Sequence, residues 1–260
     1  MAGVTANLVE IFSSIQGEGP HVGARTLFLR FGECDLRCRW CDSPGTWRPA
    51  KRCRVAEDPL GSSHGWLDNP VDTEAVVSAC ERLDLPSHDF VSLTGGEPLL
   101  QPIAASACAR ALRPRGPRIL LETHGLCWRA LPDLVDTVDV VSMDWKLRSD
   151  VRRASDPKRG PVPAFDGDHV RFLRAARRVP GLVVKLVITP ASEDDEIDEA
   201  TRCVARHAPD AVFVLQPVTP CGGVRERPSA ERMLALAARA REQLGDVRVI
   251  PQTHPIYGVP

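Results

Sequence analysis

The chain has 260 residues, with 33 basic and 34 acidic side chains and a formal charge of -1. That balance creates no field to draw it to nucleic acid or an anionic membrane, and no run approaches the ~18 apolar residues of a membrane helix. A small-molecule substrate is therefore expected, with neither nucleic acid nor membrane as a partner. The opening residues lack a basic region followed by a long apolar stretch, and the nine cysteines are an odd, partly clustered set, so a reducing, cytoplasmic location is expected.

Short apolar, β-branched runs alternate with three- and four-residue apolar periodicity, the pattern of a parallel α/β sheet or barrel. In chain order, a strand is predicted over Leu27–Phe31, followed by a cysteine-rich loop, and a helix over Thr73–Leu83. Strands at Phe90–Leu93, Arg118–Leu121 and Val138–Met143 are followed by Thr94-Gly95-Gly96-Glu97-Pro98, Glu122-Thr123-His124-Gly125 and Asp144-Trp145-Lys146. A helix over Asp168–Arg177 and a strand over Val183–Ile188 come next. The helix over Glu193–His207 has Ser192 and several acids at its start, and the strand Ala211–Leu215 runs into Gln216. The helix over Ala230–Leu244 is opened by Ser229, and the last strand is Val247–Ile250. Segments 46–72 and 149–167, rich in Pro, Gly, Ser and charge, are expected to be surface loops or lids within a single domain spanning 1–260. Four chemical motifs at C-terminal strand ends would share one mouth, where α/β barrels build active sites.

Cys34, Cys38 and Cys41 lie within eight residues. Three thiolates can hold an iron–sulfur cube with one iron open, whereas electron-carrying cubanes generally take four. A structural zinc site also wants four ligands. Cys53, twelve residues beyond Cys41, is the candidate fourth ligand, so a zinc-stabilised binding module and a four-cysteine cluster stay open at this point. Gly95 and Gly96 would let a ligand approach the main chain, and Glu97 can accept from an ammonium group. Between Gln16 and Gly19 an amide and a carboxylate stand among glycines. A carboxylate there can accept two hydrogen bonds from an amino-pyrimidinone edge.

The CxxxCxxC loop resembles the signature of the radical S-adenosylmethionine (SAM) superfamily. Together with Ser14-Ile15-Gln16-Gly17-Glu18-Gly19, Phe28–Gly32, the GlyGlyGluPro loop, Glu122–Gly125, Gln216-Pro217 and Pro251-Gln252-Thr253-His254, it resembles 7-carboxy-7-deazaguanine synthase over about residues 10–258. The resemblance implies a partial, open TIM-like barrel, a reduced (βα)6 fold of the radical SAM type. It also implies a homodimer that contracts 6-carboxy-5,6,7,8-tetrahydropterin to 7-carboxy-7-deazaguanine with loss of ammonia, reduced by a donor such as flavodoxin or ferredoxin. Its cofactors would be a [4Fe-4S] cluster on Cys34, Cys38 and Cys41, SAM on the fourth iron, and Mg2+.

By the same resemblance, Gly95, Gly96 and Glu97 would hold the methionine end of SAM, with Asp144, Lys146 and Gln216 on its other groups. Gln16, Glu18, Arg30, Glu122 and His254 would contact the substrate, the Arg30 guanidinium binding the substrate's carboxylate, and the tail 251–260 would close the pocket with the carboxylate of Pro260. No side chain is needed as a catalytic group beyond the cofactor radical. Ser43 stands where the family usually has a Thr ligand to Mg2+, and Asp144-Trp145-Lys146 where many relatives have SerProLys. A glycyl-radical activating enzyme would share the cysteine loop but has no use for the Gln16–Gly19 and His254 elements.

Overall fold

The apolar runs pair as one long sheet in the computed structural model, which describes residues 3–258. In chain order the first half of the chain contains β1 (Thr5–Ala6), β2 (Leu8–Ile15), β3 (Arg25–Phe31), β4 (Leu36–Cys38), β5 (Arg52–Ala56), β6 (His64–Asp68), β7 (Val71–Asp72), α1 (Thr73–Arg82), β8 (Phe90–Gly95), α2 (Pro102–Leu112) and β9 (Arg118–Thr123). The second half contains β10 (Val140–Asp144), β11 (Val151–Arg153), α3 (Asp166–Ala176), β12 (Gly181–Ile188), α4 (Asp194–His207), β13 (Val212–Pro217), α5 (Ala230–Arg241), β14 (Val247–Val249) and α6 (His254–Tyr257).

Ten strands follow one another as β14-β13-β12-β10-β9-β8-β3-β2-β5-β6. From β3 to β14 every pairing is parallel, while β2 runs antiparallel to β3. The two ends of the sheet do not pair with each other, so the barrel is open. Five steps of about 4.8 Å would put β3 and β13 some 24 Å apart in a flat sheet. Yet Arg30 of β3 and Gln216 of β13 line the same cavity of about 540 Å3, so the sheet curls.

Parallel strands buried on both faces need near-continuous apolar sequence, and Gly181–Ile188 and Val212–Leu215 supply it. On the outer face, helices α1 to α5 each contribute to one core, for instance Val76 and Cys80, Ala105 and Leu112, Phe172 and Leu173, Ile197 and Val204, and Met233 and Leu236. Each large side chain buried here contributes about 1.5–3 kcal/mol. Asp72 caps α1 by accepting from the backbone N–H groups of Glu74 and Ala75, and Ser229 caps α5 by accepting from Arg232. Ser192 is not a cap: its hydroxyl donates to buried Asp150 at 2.7 Å, and α4 is favoured instead by Asp194, Asp195 and Glu196 in its first turn.

Both irregular segments carry strands that their charge obscures. In 46–72, β5 pairs with β2 and β6 pairs with β5, extending the sheet as a hairpin. Its burial alternates, with Cys53 and Val55 inward and Arg52 and Arg54 outward. In 149–167, β11 pairs antiparallel with β4 in the cysteine loop. Helix α2 has no clear helical period in the sequence because its buried face is mostly Ala, Ser and Cys, which contrasts weakly with its surroundings.

Candidate active site

Inside the curled sheet, Phe90, Leu120, Val140, Val183 and Val214 form an apolar plug. Two residues further along each strand, on the same face by the strand period, stand Ser92, Glu122, Ser142, Lys185 and Gln216. Of these, Glu122, Ser142, Lys185 and Gln216 line the cavity, and Ser92 Oγ donates to Glu122 Oε1 at 2.6 Å. A polar floor thus rests on an apolar base, at the depth where the strands end and the motif loops begin.

One wall is the cysteine loop, and Cys34, Cys38 and Cys41 all line the cavity. The loop is held from both sides. β11 pairs along Leu36–Cys38, Arg37 Nη1 donates to the carbonyls of Cys34 and Leu36 at 2.9 and 2.7 Å, and Gly223 N donates to Arg39 O at 2.6 Å. Beneath it lies an apolar cluster of Leu36, Leu126, Val151 and Phe165. Burial pushes the Cys34 and Cys38 thiols up to about 11 and about 12, and raises Cys41 as well, while the Lys146 ammonium pulls all three the other way. Thiolates here require a positive group to stabilise them.

Next to this wall, Gly95 and Gly96 follow β8. A Cβ on Gly96 would lie 2.0 Å from Glu33 O, and Gly95 has φ +111° with Phe31 N and O each 2.6 Å from its notional Cβ. The glycines are therefore needed for the loop to lie against the main chain of the preceding strand and loop. Glu97 is fully buried behind the wall, where its carboxylate accepts from Leu99 N, Thr123 Oγ1 and His124 N at 2.9, 2.8 and 2.8 Å. His124 Nδ1 accepts from Leu126 N, which leaves Nε2–H to donate to Asp35 Oδ1 at 2.8 Å. This bond joins the loop after β9 to the cysteine loop.

Across the floor runs a chain of opposite charges. Lys146 Nζ stacks over the Trp40 ring at 4.6 Å and donates to Asp144 Oδ2 at 2.7 Å. Lys185 Nζ lies 3.2 Å from Asp144 Oδ1 and donates to Glu18 Oε2. Glu18 Oε1 accepts from Gln252 Nε2 at 2.6 Å, and Gln252 also reaches Asp42 Oδ2 at 3.2 Å. Burial alone would raise Asp144, but Lys146 and Lys185 outweigh it and hold the carboxyl below its usual range. Both lysines are raised, since Asp144 and the other acids beside them overcome the burial that would lower them.

The match to known proteins fits this arrangement. The profile of the Radical SAM superfamily matches residues 29–204. The chain is 36% identical over 260 residues, 97% of each chain, to 7-carboxy-7-deazaguanine synthase of Geobacter sulfurreducens. The chain belongs to the 7-carboxy-7-deazaguanine synthase family. The family member of Methanopyrus kandleri is 34% identical, covering 96% of this chain and 92% of its own. The crystal structure of QueE from Escherichia coli shares the fold with a TM-score of 0.62 at 21% identity, covering 96% of this chain and 95% of that one.

As a radical SAM family the synthases use a [4Fe-4S] cluster and SAM, and the residues present fit them. Three thiols face one cavity beside a buried cation, and among the described residues no three His, Cys, Asp or Glu side chains converge as on a single metal ion. Cys53 lies fully buried in the main core on β5, away from the cavity lining, so it offers no fourth ligand to a zinc or cluster site. Gln216 presents a further open position, a buried Oε1 with no hydrogen-bond partner.

Of the residues expected from sequence, Gln16, Glu18, Arg30, Ser43, Gly95, Gly96, Glu122, Asp144, Lys146, Gln216 and His254 share the cavity wall with the cysteines, and Glu97 does not. Arg30 also lies 3.4 Å from Glu10, and its Nη1 donates to Ser43 Oγ at 3.2 Å. His254 packs on Gly17, where any Cβ would meet its Nδ1 at 2.7 Å, and Thr253 N donates to Gly17 O at 2.9 Å. The tail thus crosses the N-terminal loop at the cavity. Pro260 lies outside the described residues. Sequence reasoning missed Lys185, Gln252, Asp42 and Trp40, all on the wall. A lysine in the apolar run Leu182–Ile188 was the available signal for the first of them.

Burial, and then the nearby Glu18 carboxylate, raise Glu122 above its ordinary value of 4.5. Its protonation therefore favours the folded state. That contribution is complete below the unfolded value and fades as pH rises through the raised folded one. Glu122→Gln keeps the acceptor for Ser92 and Gln16 without the charge. Its Tm should match the parent near pH 4 and exceed it at pH 8 by about 2–4 °C, the shift roughly 1 kcal/mol produces in a chain of this length. Identical melting curves at both pH values would contradict this.

Proposed function

We propose that the chain contracts 6-carboxy-5,6,7,8-tetrahydropterin to 7-carboxy-7-deazaguanine with loss of ammonia, a lyase reaction feeding queuosine-type 7-deazapurines. The observation that carries this reading is the meeting, in one cavity, of the three cysteines with Gln16, Glu18 and Glu122. When bound, the cluster and SAM supply the one-electron chemistry that begins with hydrogen abstraction from the pterin.

The chain holds and orients the reactants. Cys34, Cys38 and Cys41 would hold the cluster, which with SAM would supply the radical chemistry. Gly95 and Gly96 present main chain to the methionine end of SAM. Lys146 and Asp144 take its carboxylate and ribose, and the open Oε1 of Gln216 accepts from its ribose or adenine side. Glu18 and Glu122 grip the polar edge of the pterin, while Arg30 offers its carboxylate a planar, bidentate donor. His254 and the tail cover the substrate and exclude water. Glu97, buried behind the wall, positions the glycine loop and the end of β9.

Mg2+ belongs to the proposal through Ser43, whose Oγ donates to Asp42 Oδ1 at 2.8 Å. A hard cation takes oxygen ligands, and these two supply them beside Arg30. Ser43→Ala should lose most of the stimulation of turnover by Mg2+, and Ser43→Thr should retain it. An unchanged Mg2+ response in the alanine variant removes Ser43 from the metal site.

A cytoplasmic homodimer reduced by flavodoxin or ferredoxin completes the reading. Among the described residues no helix is long and apolar enough to cross a membrane. The deciding experiment is anaerobic incubation of the reconstituted protein with SAM, dithionite and 6-carboxytetrahydropterin, followed by mass analysis. 7-Carboxy-7-deazaguanine is the expected product. Cleavage of SAM without any deazaguanine would rule the reading out.

A further inference from the structure

The polar edge of a 2-amino-4-oxo heterocycle presents an amino N–H, a ring N–H and a carbonyl oxygen in a row: two donors and then an acceptor. The matching surface needs a carboxylate with a donor beside it. Glu18 is such a carboxylate. It has about four acceptor sites, and one bond each from Lys185 and Gln252 leaves room for two more.

The donors around Glu18 can be counted. Gln16 Nε2 gives one of its two N–H groups to Glu122 at 3.2 Å, and its Oε1 accepts from Glu18 N at 3.0 Å. Gln252 Nε2 is given to Glu18 and Asp42. Lys146 is given to Asp144 and the Trp40 ring, on the cysteine side. Lys185 differs from Gln16 in its full positive charge and from Lys146 in its direct contact with Glu18. An ammonium has three donors: Glu18 receives one, and Asp144 Oδ1, 3.2 Å away, is ion-paired with the same nitrogen. Lys185 lines the cavity at only 7% side-chain exposure, so the donor that remains faces the substrate space.

We propose that Lys185 is a specificity-determining residue whose ammonium donates to the ring carbonyl of the substrate while Glu18 accepts from the adjacent ring N–H and amino group. The inference rests on the pterin reading above and deepens it. A heterocycle with an amino group in place of that carbonyl turns a donor toward the cation and loses the ring N–H that Glu18 wants. A site built around hydrogen bonds rejects such a mismatch strongly, because its buried polar groups are left unpaired.

The test is fluorescence titration of the cluster-reconstituted, SAM-loaded protein with pterin-6-carboxylate and with 2,4-diaminopteridine-6-carboxylate. The parent should prefer the oxo ligand by about 100-fold or more. Lys185→Met should bind the oxo ligand about 10- to 100-fold more weakly, the loss expected for one charge-assisted hydrogen bond. The diamino ligand should change little, so the preference collapses. Lys185→Arg, which keeps a cation and its donors, should restore most of the preference. Each variant is titrated at a SAM concentration shown to saturate it, and Lys185→Gln stands in if the methionine variant does not accumulate. A preference unchanged in Lys185→Met, or equal weakening of both ligands, overturns the assignment while leaving the pterin reading intact. A parent protein that binds neither ligand overturns both.

Discussion

Cys38→Ala should leave the purified protein with background iron and no SAM cleavage, while Cys53→Ala keeps the parent's iron. Cys38 sits on β4 in the cavity wall, pinned by β11, and neither Cys127 nor Cys221, which approach the same loop, lines the cavity. Cys34→Ala and Cys41→Ala should behave in the same way. Cys53 is fully buried in the main core, so its loss creates a small void and costs about 1 kcal/mol of stability. Iron content per chain and deoxyadenosine formation, measured anaerobically, decide the matter. Loss of iron from the Cys53 variant alone would overturn the three-cysteine site.

Gly96→Ala is expected to be nearly as damaging, for a reason that involves no ligand. The new methyl carbon would lie 2.0 Å from Glu33 O and 2.7 Å from Glu33 C, both main-chain atoms that no rotamer change can move. The glycine loop must then lift off the cysteine loop, breaking the Glu97 N to Glu33 O bond of 2.8 Å. Glu33 itself already holds a left-handed φ of 72°, which makes local relief costly. A loss of about 3 kcal/mol or more is expected, with reduced iron retention. Were these glycines present only to admit SAM, the ligand-free protein would unfold at the parent's urea midpoint, and that result would defeat the packing argument.

The sequence made the site more legible than the scaffold around it. Cysteine spacing and strand-end motifs carry chemistry that few other arrangements need, and the residues they pointed to converge on one cavity with Glu97 set behind it. Its carboxylate is consumed by Leu99, Thr123 and His124, bonds between distant segments that spacing does not reveal. Lys185 escaped notice because its run has the period of a buried strand, and only the neighbouring acids explain a cation there. The β5–β6 hairpin and α2 were hidden for opposite reasons. Charged outward residues masked the alternation of the hairpin, and small buried residues flattened the contrast of the helix.

The straps on the cysteine loop bear on how the protein is made. Its three thiols emerge early in synthesis, yet their wall is finished only by β11, by the bond from Arg39 N to Asp150 O and by the contacts of Cys221 with Trp40 and Gly223 with Arg39. Chains grow from the N-terminus, so the thiols must wait for more than two-thirds of the polypeptide before their geometry exists. The geometry of the three-thiol wall is therefore completed only once the segment around Gly223 has joined the fold. A nascent or truncated form ending before residue 221 would present the same cysteines as loose thiols, open to oxidation or to the wrong metal.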